Sequence, residues 1–281
     1  FDYSRKLEKR KLDNFESDLI IGIYFFKNEN YDLAEKYFLK LKNRRSKFIL
    51  NSFVSNSLLN WVSFQNLDIN SAKKKINKIN SKFENLKSIQ KVFLHCFYNS
   101  KETELLFENL TSNKKIDFSR YNYFYATHLS KTGKIEKAKK ITDYSLKLYP
   151  RNLLLNQYKL DLNKGNYENN FNCQNLSHVV AEILYITANA LSSQDLYVFS
   201  NFYLNLSKYL NKDFHSFDTL LAENFYKIDN FKKAKKIYNE IGKKGQIFLW
   251  YAAKQNAKIL VEEEKKLKAL KILTNAYENL P

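Results

Sequence analysis

Residues 118–150 read FSRYNYFYATHLSKTGKIEKAKKITDYSLKLYP. Three residues follow one another in this stretch at intervals of twelve: Ala126, Ala138 and Pro150. The same spacing recurs at the end of the chain, in Ala257, Ala269 and Pro281. Small residues at this distance fit two antiparallel helices whose backbones approach closely, and a proline stops the second helix. Both stretches therefore predict helical hairpins built to one template.

The small-residue pair also recurs without the proline, as Ala188 with Ser200 and as Ala222 with Ala234. The second pair lies 34 residues after the first. Apolar residues fill the other inward positions of these hairpins: Tyr125, Leu129, Ile135, Leu204, Leu221, Phe225, Phe231, Tyr238 and Leu273. Asn and Asp residues precede the second helix of several hairpins, where their side chains favour helix caps.

With this period, the chain resembles the tetratricopeptide repeat family, most closely over residues 118–150 and 181–281 and less closely over 16–45. A further likeness is to the long tetratricopeptide-repeat proteins of alphaproteobacteria, whose later repeats are similar to residues 215–281. The resemblance implies an all-α fold, a right-handed superhelical solenoid of antiparallel helix hairpins. It carries no enzymatic activity with it.

Composition favours the same fold class. The 281 residues are 44% hydrophobic and 16% aromatic, with five Gly and two Pro, which is typical of an almost wholly helical chain. The longest apolar run, Leu19 to Phe26, is far shorter than the roughly 18 residues that span a bilayer. Abundant Lys, Asn and Ile with scarce Ala, Gly and Arg indicate an AT-rich, bacterial genome. We expect a soluble protein of the cytoplasm or periplasm.

The helical pattern divides the chain into five segments. Residues 1–13 are predicted to be the second helix of a truncated repeat, and the chain a fragment of a longer solenoid, with any export signal upstream. The other four are degenerate hairpins in 15–112, a complete repeat in 118–150, a single helix with an irregular loop in 152–177, and three repeats in 178–281. The loop has replaced most of a second helix, and is either a tolerated surface loop or a joint between two segments of one continuous solenoid.

The net charge of +18 raises the alternative that the chain binds nucleic acid or another anionic polymer. Six of the 47 basic residues are arginine, whereas phosphate recognition favours arginine. Many lysines flank the small residues of second helices, which predicts a solvated outer face: Lys137, Lys139, Lys140, Lys232, Lys233, Lys235 and Lys236. The densest basic cluster is residues 5–11 with Arg44 and Arg45.

No catalytic or metal-binding constellation is predicted, and no cofactor. The four histidines lie in different hairpins, and none stands at the helical spacing that a metal pair needs. Cys96 and Cys173 lie about two hairpins apart, so we expect free thiols, which favour a reducing compartment. The acidic run Glu262–Glu264 is interpreted as the solvated turn of the last repeat.

In the tetratricopeptide family the first helices of the hairpins line a concave groove that holds a peptide or a partner helix. Carried onto this sequence, the resemblance implies a partner-binding groove formed by Arg120, Tyr123, Thr127, Lys131, Tyr185, Asn189, Thr219, Glu223, Tyr226, Lys227, Lys254 and Lys258. Tyrosine with small polar residues suits an extended protein segment. The leading hypothesis is a non-catalytic scaffold for a protein partner. The alternatives are the lysine face as a polyanion site, and a helical arm of a larger enzyme.

Overall fold

The computed structural model describes residues 1–44, 49–112, 118–167 and 170–278, which places Arg45 and Pro281 outside the described residues. The described residues form α-helices, two short 3-10 helices and no β-strand, so the all-α prediction is confirmed. The first seven helices are Asp2–Lys9 (α1), Phe15–Lys27 (α2), Tyr31–Asn43 (α3), Ile49–Ser63 (α4), Ile69–Asn77 (α5), Glu84–Phe97 (α6) and Thr103–Thr111 (α7). The next nine are Ser119–Lys131 (α8), Ile135–Leu148 (α9), Leu153–Asn163 (α10), Leu176–Ser192 (α11), Tyr197–Leu210 (α12), Ser216–Lys227 (α13), Phe231–Gly242 (α14), Gln246–Glu262 (α15) and Lys266–Glu278 (α16).

Consecutive helices pack as hairpins, including α2 with α3, α8 with α9, α13 with α14 and α15 with α16. The alanines and serine of the twelve-residue pairs are all buried: Ala126, Ala138, Ala188, Ser200, Ala222, Ala234, Ala257 and Ala269. The first hairpin has a pair of its own that the sequence analysis missed, Gly22 and Ala34. A Cβ atom on Gly22 would lie 2.6 Å from the ring of Phe38, so the close approach there requires glycine.

One turn recurs between the two helices of six hairpins. In each turn one residue has a left-handed φ between 51° and 80°: Glu29, Asn99, Gly133, Asp195, Asp229 and Glu264. The next amide donates to the carbonyl five residues earlier, as Asn30 N does to Phe25 O at 2.9 Å. This is the Schellman geometry that closes a helix end. The α10 helix ends in the same way, with Asn166 N donating to Asp161 O, but the next described helix, α11, begins only at Leu176.

The chain forms two compact units that interleave along the sequence. Unit 1 consists of Phe1–Leu106, Phe171–Thr187 and Asn205–Lys212. Unit 2 consists of Phe107–Asn170, Ala188–Leu204 and the chain from Asp213 onward. The prediction of one continuous solenoid stays a prediction.

Unit 1 has an aromatic core in which Trp61 is fully buried. Its indole nitrogen donates to Gln90 Oε1 at 3.0 Å, and the Gln90 amide donates to Ser57 Oγ at 2.8 Å, so the buried polar atoms are paired. The expectation of free thiols is wrong, because Cys96 and Cys173 form a disulfide, with Cα atoms 5.8 Å apart. The disulfide attaches the irregular segment before α11 to the last turn of α6, a contact between residues 77 positions apart that no local pattern reveals.

Unit 2 contains a contact that skips along the sequence: α10 packs against α15 as well as against α8 and α9. Leu153 and Leu154 lie against a hydrophobic cluster formed by α13, α14 and α15. Gln157 Oε1 accepts from Ile247 N at 3.1 Å and thereby caps the start of α15. At Gly245 the backbone has φ +152°, and a Cβ atom would meet the Gln157 amide, so glycine is needed there too. With no second helix of its own, α10 buries its apolar side against α15.

Candidate functional site

The α8 part of the predicted groove is closed in unit 2. Tyr123 and Thr127 expose only 7% and 3% of their surface to solvent, so neither can contact a partner. The Tyr123 ring stacks on Phe214, with ring centroids 6.0 Å apart, and meets Tyr158 edge-on at 5.5 Å. Burial raises the pKa of the Tyr123 hydroxyl. These two positions are core, and their place in a binding groove is corrected.

The Arg120 side chain also makes its contacts within unit 2. Its guanidinium donates to Ser216 Oγ and lies 5.3 Å from the Phe214 ring centroid and 5.5 Å from that of Phe124. The half-buried arginine thus joins the start of α8 to the start of α13. Lys131, at the other end of α8, is exposed. The sequence pattern contains no sign that the start of α13 contacts this helix.

Six other predicted groove residues lie on α13 and α15: Thr219, Glu223, Tyr226, Lys227, Lys254 and Lys258. We call this surface the α13–α15 face. Thr219 is half-buried and donates to Ser216 O at 2.8 Å, whereas Glu223, Lys227, Lys254 and Lys258 are exposed. The α13–α15 face is therefore the largest part of the predicted groove that remains accessible.

Tyr226 is the centre of the α13–α15 face. Its hydroxyl donates to a carboxylate oxygen of Glu262, and Lys258 Nζ lies 4.3 Å from its ring centroid. The hydrogen bond with Tyr226 raises the pKa of Lys258 above its usual value. Glu262, which the sequence pattern predicted to lie in a solvated turn, is the last residue of α15 and lies four residues after Lys258, on the same helix face. The half-buried tyrosine is thus held in one orientation.

Three further contacts order this surface. Tyr251 donates to Glu223 Oε1 at 2.6 Å, and the ring of Tyr251 meets Tyr238 edge-on at 5.9 Å. Burial, with the negative charge of Glu223 beside it, raises the pKa of the Tyr251 hydroxyl, which stays protonated and donates. Lys254 Nζ lies 5.6 Å from the ring centroid of Trp250, a cation–π distance. Polar contacts therefore connect α13 to α15 beneath the exposed lysines.

The remaining two predicted groove residues lie on α11. Tyr185 is half-buried and belongs to unit 1, whereas Asn189 is exposed and belongs to unit 2. Because the two residues belong to different units, their joint place in one groove with the α13–α15 face stays a prediction.

Two members of the basic cluster at the start of the chain, Arg5 and Arg44, are paired with carboxylates. Arg5 donates to Glu8 at 2.5 Å, and Lys40 donates to the other Glu8 oxygen at 2.7 Å. Arg44 pairs with Asp13 and with Asp18, whose carboxylate is fully buried. Burial would raise the pKa of Glu8, but the hydrogen bonds from Lys40 and Tyr37 hold it below its usual value. These contacts leave less free charge for an anionic partner than the sequence suggests.

No family model matches the chain, and no curated protein matches it in sequence. Over the described residues, no helix combines the length and apolar character that a membrane crossing requires. Within those same ranges, no three His, Cys, Asp or Glu side chains come together in a way that could hold a metal ion.

Proposed function

We propose that this chain is a non-catalytic scaffold that binds a protein partner on the α13–α15 face. The observation that carries the proposal is the fixed orientation of Tyr226, between Lys258 and Glu262, on an accessible surface. Tyrosine is enriched among the residues that dominate binding energy at protein interfaces. Because this ring is already held by two neighbours, a partner would not have to order it, which lowers the entropic cost of association.

The charge of the α13–α15 face indicates what kind of protein segment would bind there. Lys227, Lys254 and Lys258 are exposed, while Glu223 and Glu262 are engaged by tyrosine hydroxyls. A mixed surface with a positive excess suits a polar protein segment that carries acidic residues, and such charges act mainly on association rate and partner choice.

A capture experiment tests the proposal. The chain is immobilised and exposed to lysate of the source organism at low and at high salt, and proteins and nucleic acid are identified in the same eluate. We expect a discrete protein that survives high salt and is lost with Tyr226→Ala. The matched control is Tyr144→Ala, because Tyr144 is 62% exposed on α9 and lies outside the face. A protein retained equally by both variants would contradict the proposal.

Nucleic acid binding by the lysine-rich outer face is the alternative. Part of that face is paired in the structure: Lys235 lies 2.5 Å from Glu263, and Lys139 lies 2.9 Å from Glu136. Nucleic acid in the eluate that is released by salt would favour this alternative, because phosphate contacts weaken steeply with ionic strength. A role as the helical arm of a larger enzyme stays a further hypothesis.

The disulfide bears on the cellular compartment in which the protein functions. Disulfides form and persist in oxidising compartments and are rare in the reducing cytosol. We therefore propose that unit 1, with its Cys96–Cys173 bond, functions in an oxidising compartment such as the bacterial periplasm. Mass spectrometry of the chain alkylated directly in lysate tests this, since two alkylated cysteines would contradict it.

A further inference from the structure

Unit 1 contains a cleft of about 540 Å³ to which the sequence pattern assigns nothing. Its floor is α4, and its walls are α3 on one side and the end of α5 with the following turn on the other. Its lining includes Leu39, Lys42, Asn56, Leu59, Asn60 and Lys78. The volume falls within the roughly 300 to 1,000 Å³ of ligand-binding clefts.

The cleft exists because the exposed side of α4 carries small polar residues. Ser52, Asn56 and Asn60 follow one another at intervals of four, which places them on one stripe of the helix between α3 and α5. Large side chains in this stripe would fill the space that the structure leaves open. At one end the rings of Phe53 and Phe83 meet, with centroids 5.0 Å apart, and close the floor.

The lining combines apolar and amide groups. Leu39 is 44% exposed although it faces the cleft, and Leu59 and Phe83 are partly exposed. An apolar side chain from a partner could cover these surfaces. The Asn60 side chain makes no hydrogen bond to another described residue, so its amide can pair with a peptide backbone.

The charge of the cleft is positive. Among the residues that the structure describes, three lysines and one glutamate line it, and Lys75 already donates to Ser63 Oγ at 2.9 Å. Lys42 and Lys78 lie on opposite walls, are exposed, and have no ion-pair partner among the described residues. A ligand that places carboxylates near these two lysines would be bound more tightly than a neutral one.

We propose that this cleft binds a short acidic peptide segment that carries a leucine or phenylalanine side chain. The apolar side chain lies against Leu39 and Leu59, and the carboxylates pair with Lys42 and Lys78. A polynucleotide fits less well, because the described lining residues include no arginine and form a compact cleft rather than a long basic track. The site is separate from the α13–α15 face, so its failure would leave the proposed scaffold function untouched.

The test uses the whole chain and a library of random twelve-residue peptides displayed on phage. Selected peptides are synthesised with a fluorescein label, and binding is measured by fluorescence anisotropy. We expect sequences enriched in Asp or Glu together with Leu or Phe. The double variant Lys42→Glu/Lys78→Glu should weaken their binding at least tenfold. Asn56→Trp fills the cleft without changing its charge and should weaken binding to a similar extent.

The matched control is Lys232→Glu/Lys236→Glu, which reverses two exposed lysines on α14 and should change affinity less than twofold. Circular dichroism confirms that each variant is folded. The proposal is overturned if no acidic peptide is selected, or if the selected peptides respond equally to the control variant. It is also overturned if a labelled single-stranded oligonucleotide binds with the same variant dependence and displaces the peptide, since the occupant would then be a polynucleotide.

Discussion

Removal of the Cys96–Cys173 disulfide should lower the free energy of unfolding by several kcal/mol. The bond closes a loop of 77 residues in sequence. In the chain-entropy description, the cross-link lowers the entropy of the unfolded chain by 2.1 plus 1.5R ln n cal/mol/K, where n is the number of residues in the loop. For this loop the entropy change is about 15 cal/mol/K, which corresponds to about 4.5 kcal/mol of stability at 25 °C. Measured losses for native disulfides are commonly about 2 to 5 kcal/mol, so a value in that range is expected.

The assay is urea unfolding followed by circular dichroism. The double variant Cys96→Ser/Cys173→Ser is compared with the intact chain, and the intact chain with reductant is the second arm. Both should unfold at clearly lower urea than the oxidised chain, and at nearly the same concentration as each other. Thiol titration under denaturing conditions should find no free thiol before reduction. If the double variant and the reduced chain unfolded where the oxidised chain does, the inferred constraint on unit 1 would be refuted.

Three further predictions concern single residues. Gly22→Ala should cost about 1 to 3 kcal/mol in thermal or urea unfolding, because its new methyl group would overlap the Phe38 ring; an unchanged transition would contradict the close approach. Gln157→Ala should cost about 1 kcal/mol, because the amide of Ile247 loses its cap, and hydrogen exchange at the start of α15 should speed up. Glu8 has a lowered pKa in the folded state, so it contributes stability above pH 4.5 that is lost as the pH falls through its folded-state pKa; Glu8→Gln should flatten the acid limb of the stability curve.

The helical hairpins could be predicted from the sequence because their determinants are local. A pair of small residues twelve apart, with apolar residues around it, is sufficient to locate a hairpin. The pair Gly22 and Ala34 obeys the same rule, with glycine as the small residue of the first helix. The left-handed residue of each turn was not predicted, since five of the six are not glycine. Asn99, Asp195 and Asp229 are of types that tolerate this conformation, whereas Glu29 and Glu264 are not.

The closure of the groove at α8 could not be predicted, because it depends on contacts between distant segments. Arg120 meets Ser216 across 96 residues, and Gln157 meets Ile247 across 90. Tertiary packing, and no local pattern, selects the segments that meet in these two contacts. The disulfide is likewise a contact between distant segments that could not be predicted, because the spacing of two cysteines does not determine whether they pair.

A site-specific photo-crosslink tests the central claim most directly. The residue p-benzoylphenylalanine is placed at Lys254 on the α13–α15 face, and in a second protein at Lys236, which is exposed on α14. After irradiation with the partner captured at high salt, the account predicts a covalent adduct from position 254 that Tyr226→Ala abolishes, and none from position 236. An adduct from position 236 alone, or equal adducts from both positions, would contradict the claim that a protein partner binds the α13–α15 face.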